Sequence, residues 1–102
     1  MTTEATWAAL RETIRLDRGI YCEVCGCAPF TELHHCLIHK MKGHEELNCV
    51  ENLMAVCADC HPYQNGFKAR CRFWRSQVAL YGRERMQEWL GGLGLKIIPR
   101  FE

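Results

Sequence analysis

Residues 20–65, IYCEVCGCAPFTELHHCLIHKMKGHEELNCVENLMAVCADCHPYQN, are the stretch that decides the fold. Two Cys-x2-Cys pairs bracket it, Cys22 with Cys25 and Cys57 with Cys60. Each pair offers two thiolates from one tight turn, and together they supply the four soft ligands that tetrahedral zinc prefers. Gly26 follows the first pair and relieves the tight backbone after the second cysteine. A zinc ribbon places about 15–20 residues between its pairs. Here 31 residues intervene, so a folded segment is expected between the two knuckles. A Cys2His2 finger built from Cys22, Cys25, His35 and His39 is the weaker alternative. Nine residues separate Cys25 from His35, against about twelve in such fingers.

Between the knuckles, residues 31–38 (TELHHCLI) read as a strand, 39–51 as a polar loop carrying Gly43, and 52–56 (NLMAV) as a second short strand. Upstream, residues 6–16 read as a helix with Trp7, Leu10 and Ile14 on one face, capping oxygens at Thr3 and Thr6, and a turn at Asp17-Arg18-Gly19. Downstream, helix is expected to resume after Cys60, with Pro62 tolerated in its first turn and Gly66 as a potential break. Phe67, Cys71, Trp74, Val78 and Tyr81 then share one helical face. A further helix over 84–90 turns Met86, Trp89 and Leu90 inward and stops at Gly91-Gly92, and 95–98 read as extended. Trp7, Trp74 and Trp89 all read as packing residues. The pattern is that of an α+β protein, and 102 residues make one domain.

A chain of this size often needs a staple. Eight cysteines allow either a secreted disulfide scaffold or a metal site. The opening MTTEATWAALRETIRLDRG has no basic start followed by an apolar run, so no secretory leader is expected, nor any membrane span. A cytoplasmic location follows as the expectation, and there paired cysteines mean metal. Cys71 and Cys36 read as packed, Cys27 and Cys49 as partly exposed. The net charge of +1 says little about partners.

Histidines supply the remaining chemistry. The order is His34-His35, sixteen residues, Asn52, eight residues, His61. Phosphodiester hydrolysis needs a base to deprotonate water and a cation to offset charge on the phosphate. Two histidines on a strand and a third after the last cysteine offer a base and two ligands. His39 and His44, in the polar loop, read as solvated.

This ordered set resembles the HNH endonuclease family. The likeness rests on Cys22-Glu23-Val24-Cys25, Leu33-His34-His35, Glu51-Asn52-Leu53 and Cys57-Ala58-Asp59-Cys60-His61, and covers roughly residues 20–65. The resemblance implies a ββα-metal core stapled by a four-cysteine zinc, with an N-terminal helix and a helical C-terminal extension over 67–102. It implies His34 and His61 as ligands of a catalytic divalent metal, His35 as general base, and Asn52 as the residue that orients the base. It places Asn65 four positions beyond His61 on the helix, as a further oxygen ligand. Family members often begin the doublet with an acid. His34 departs from that, and imidazole suits Mn, Ni or Zn better than Mg. DNA is the implied substrate, cut or nicked to a 5′ phosphate and a 3′ hydroxyl. Lys40 and Lys42 in the loop, and Lys68, Arg72 and Arg75 at i, i+4 and i+7, are candidate phosphate contacts. A homodimer and a larger phage, mobile-element or restriction assembly are the contexts to test. The competing function is a catalytically silent, zinc-stapled DNA- or protein-binding module.

Overall fold

A computed structural model describes residues 3–102 of the chain. The first helix, α1, spans Glu4–Arg18. It begins ahead of the apolar face because Thr3 caps it, its hydroxyl accepting from the Thr6 N–H at 3.1 Å. Gly19, at φ 90, closes it with an N–H bond to the Arg15 carbonyl.

Two strands follow, β1 (Glu32–His35) and β2 (Leu53–Val56), paired antiparallel with His34 opposite Met54 and His35 opposite Leu53. Every residue of β2 is buried, because the sheet is covered on both sides. On one side Leu53 and Ala55 meet Ile14 of α1, with Trp7, Leu10 and Leu33 around them. On the other, Met54 and Val56 join Phe73, Trp74, Met86 and Leu90. The strand period of two therefore sends His35 toward α1 and both Glu32 and His34 to the opposite side.

The first strand stops at His35 instead of reaching Ile38. The reason is Asn52, fully buried, whose Oδ1 accepts from the Leu37 and Ile38 N–H groups at 3.1 and 2.8 Å. Its Nδ2 donates to the Ile38 and Leu47 carbonyls at 2.9 and 3.1 Å. One side chain thus takes up the backbone bonds that a longer strand would have needed.

Helix does not resume directly after Cys60. His61–Tyr63 form one 3₁₀ turn, and α2 spans Phe67–Tyr81 beyond Gly66. Its buried face is Ala69, Phe73, Trp74 and Gln77, whereas Phe67 is 61% exposed. The expected stripe lies on the flank of that face, where Cys71, Val78 and Tyr81 are partly buried. A polar residue, Gln77, displaces it. Its amide is held inside by the Val50 and Glu51 carbonyls at 2.8 and 3.0 Å. Gly82, at φ 95, turns the chain into α3 (Arg83–Gly91), which buries Met86 and Leu90. Residues 95–98 form no strand, and the chain returns to the core at Phe101, whose ring lies 5.5 Å from that of Trp74. No helix among the described residues is long and apolar enough to cross a membrane.

Arg18 ties these layers together. Its guanidinium donates to the Leu53 and Val50 carbonyls at 2.6 Å each, pairs with Glu23 at 3.2 Å, and lies over the rings of Phe73 and Tyr81. Its side chain is only 5% exposed. Removing one member of a buried, hydrogen-bonded ion pair costs about 3–5 kcal/mol. Arg18→Ala is expected to lose stability of that order, read as a lower urea midpoint at unchanged slope. A midpoint equal to the parent's would refute the role.

Candidate metal centre and histidine site

Glu23 brings the two knuckles together. Its backbone N–H donates to the Ala55 carbonyl at 2.9 Å, and its carboxylate accepts from the Ala55 N–H at 2.6 Å. The first knuckle is thereby docked on β2, and β2 runs directly into Cys57. Gly26 makes the first turn at φ 65, its N–H bonded to the Cys22 carbonyl. The outcome is a group of four sulfurs, from Cys22, Cys25, Cys57 and Cys60, all within 4.8 Å of one another, that could hold a metal ion. Cys25 and Cys57 Sγ lie 3.9 Å apart. Bonds of about 2.3 Å to one central ion would set tetrahedral ligands about 3.8 Å apart, so the spacing fits.

The thiols also differ in acidity as such a group should. Burial works against ionisation of Cys22, but backbone N–H groups of Cys25, Cys57 and Val24 outweigh it and bring the thiol down to about 6. Cys60 is pushed up to about 12, chiefly by its contact with the Cys57 thiol. Four sulfurs this close ionise together only around a cation. The remaining cysteines lie outside the group. Cys36 and Cys49 are held neutral by burial, at about 12 and 11, and the Cys27 thiol bonds to the Cys25 carbonyl. His35 and His39 do not belong to it either, which removes the Cys2His2 alternative.

The histidines form a second cluster. His34, 6% exposed, turns Nε2 to the Gln64 main-chain carbonyl at 3.0 Å. A carbonyl only accepts, so that nitrogen carries the proton and Nδ1 keeps its lone pair. His61 turns Nδ1 to the Glu32 carboxylate, so in the neutral ring Nε2 is the lone-pair nitrogen. These two nitrogens, His34 Nδ1 and His61 Nε2, face each other at 3.2 Å. Burial, more than any other cause, holds the His34 proton affinity below its usual value, despite the Gln64 bond. Two bonds of about 2.0–2.1 Å to one ion span such a gap. Each outer nitrogen is anchored as metal-binding histidines usually are, one on a carbonyl and one on a carboxylate.

The next residue, His35, ends β1. Its Nε2 donates to Asn48 Oδ1 at 2.6 Å, leaving Nδ1 as the proton acceptor. Burial depresses its proton affinity. The Asn48 bond opposes this, and the charge of Lys40 adds to it. Asn52 does not reach the ring. It acts through the backbone, with its carbonyl on the Cys36 N–H at 3.0 Å and its amide on the turn beyond. Asn65 is exposed in the turn before α2, so the helix expected to carry it begins only at Phe67.

Lys40, Lys42, Lys68, Arg72 and Arg75 are all exposed. Trp7, expected only to pack, is half-buried and sits edge-on to His35 with ring centres 6.1 Å apart. Four neighbours escape a reading of the sequence: Asn48 on His35, Glu32 on His61, Gln64 on His34, and Arg70, which bonds His39. Glu32 alone had a signal, since it lies two residues before His34 and so shares its face of the strand. The Gln64 contact is made by the backbone and leaves no trace in residue type.

No protein-family model matches the chain, and no solved structure matches it. Over 87 residues it is 29% identical to the Zorya protein ZorE of Escherichia coli, a match covering 82% of this chain and 23% of that protein. The chain therefore spans less than a quarter of the length of the curated relative it matches.

Proposed function

We propose that this chain is a metal-dependent DNA endonuclease or nickase of the HNH type. The observation that carries the reading is the pair of lone-pair nitrogens, His34 Nδ1 and His61 Nε2, 3.2 Å apart with both outer nitrogens anchored. With both inner nitrogens unprotonated the two lone pairs repel, and a cation between them removes the conflict. His35, the next residue along β1, offers a neutral imidazole with Nδ1 free of the Asn48 bond. His34 and His61 are the ligands, and His35 takes the proton from the attacking water. A divalent ion held there supplies charge to offset the phosphate and the departing oxygen. The four cysteines hold a structural zinc that locks the knuckle to the end of β2, next to His61. Asn52 keeps the chain after His35 in its turn. Lys68, Arg72 and Arg75 line an exposed face of α2 suited to phosphate contacts.

The test is plasmid cleavage across added Mg, Mn, Ni and Zn. Activity is expected to need an added ion, with Mn or Ni at least as effective as Mg, because the ligands are imidazoles. His34→Ala and His61→Ala are expected to raise the metal concentration required, with rescue at higher metal. Cleavage that is strong in Mg and absent in Mn counts against the ligand pair. A well-folded, zinc-loaded protein that binds DNA and cuts with no metal is the binding module instead.

A further inference from the structure

Next to His35, and outside the histidine–metal cluster, the fold leaves a cavity of ≈ 250 Å³ between α1 and the loop after β1. Trp7 lines it from α1, and Lys40, Lys42, His44, Glu45 and Asn48 are among the residues lining it from the loop after β1. The two side chains that touch His35, Trp7 by its ring and Asn48 by its amide, are both walls of this cavity. A ligand there reaches His35 through these two side chains.

The chemistry of the walls narrows the occupant. Sites for drug-sized ligands run about 300–1,000 Å³, and this one is smaller, the scale of a single flat ring system. An indole offers a stacking face that accepts any base. Two exposed lysines in the lining suit the phosphates on either side of a nucleotide. Glu45 in the same lining disfavours a bare anion. A base within a duplex is stacked on both faces and cannot present one of them to Trp7.

We propose that this cavity is a subsite for one unstacked nucleobase of a DNA strand, flanking the phosphate presented to His35. The inference takes DNA as the ligand from the functional reading above and adds the form of DNA selected: single strands, ends and mismatches over uninterrupted duplex.

The experiment uses the full chain without added divalent metal, so that binding is read apart from cleavage. The probes are a labelled oligothymidylate, an abasic oligonucleotide of the same length and a matched duplex. The oligothymidylate is expected to bind more tightly than the other two and to quench tryptophan emission, since a base stacked on Trp7 contacts the indole. Trp7→Ala is expected to weaken oligothymidylate binding about 5- to 150-fold, the range for one base–aromatic stack. Duplex binding should change less than about twofold, and Trp7→Phe should retain most of the affinity. Equal quenching by the abasic strand overturns the proposal using the unmodified protein alone, whether or not the alanine variant folds. Equal loss on single strand and duplex also overturns it, because Trp7 would then merely support α1. Divalent cleavage of plasmid run in parallel separates the two readings. Cutting without base-dependent quenching leaves the nuclease and removes the subsite. Base-dependent quenching without cutting keeps the subsite on a binding protein.

Discussion

Cys57→Ser is expected to abolish folded protein, and stripping the metal from the parent with a chelator to do the same. Structural zinc contributes about 10–16 kcal/mol of apparent binding free energy in small finger domains near neutral pH. The whole stability of an ordinary domain is about 5–15 kcal/mol. Loss of the ion therefore exceeds what the remaining contacts can supply. The geometry says why this chain is exposed to that loss. Cys57 and Cys60 follow β2, Cys22 and Cys25 are joined to it through Glu23, and Ala55 and Val56 sit in the two cores on either side. Releasing the four sulfurs frees the end of β2. The measurement is metal content of protein purified without added zinc, with near-ultraviolet circular dichroism before and after chelation. One zinc per chain and collapse on chelation are expected. A metal-free protein with an unchanged spectrum would end the proposal.

His35→Ala is expected to lower plasmid cleavage by about 10²–10⁴-fold, the usual contribution of a positioned base. DNA affinity and fold should be nearly unchanged, since the imidazole handles a water and not the phosphate. This separates it from His34→Ala and His61→Ala, whose defect should yield to added metal. The pH profile gives the sign. Only the neutral ring accepts a proton, so the rate falls as pH drops through the His35 pKa. Burial, outweighing the Asn48 bond, holds that pKa below the usual 6.5, and the charge of Lys40 pushes it further the same way. The acid limb of the parent is therefore expected below pH 6.5, and the residual activity of the alanine variant should lack it. If His35→Ala cuts as fast as the parent, the base lies elsewhere.

The sequence by itself determined the parts whose chemistry is local. Two Cys-x2-Cys turns are tight enough that spacing alone picks out these four cysteines, and their sulfurs converge into a group that could hold a metal ion. The run LMAV is apolar at every position and is buried at every position, a pattern that depends only on the sheet having two covered faces. The helices were legible from Ile14, Trp74, Met86 and Leu90, which do face inward.

Tertiary structure alone decided the contacts that turn these parts into a site. The core face of α2 includes Gln77, a polar residue that hydropathy places outside, because two loop carbonyls distant in sequence satisfy its amide. The first strand ends early because the side chain of Asn52, far along the chain, captures the Leu37 and Ile38 N–H groups. Asn48 rather than Asn52 holds the ring of His35, and Glu32 and a main-chain carbonyl hold His61 and His34. In each case the partner is selected by where the backbone passes, not by residue type. A hydrogen bond demands a donor and an acceptor within about 3 Å, and across dozens of intervening residues only the folded chain specifies which pairs meet.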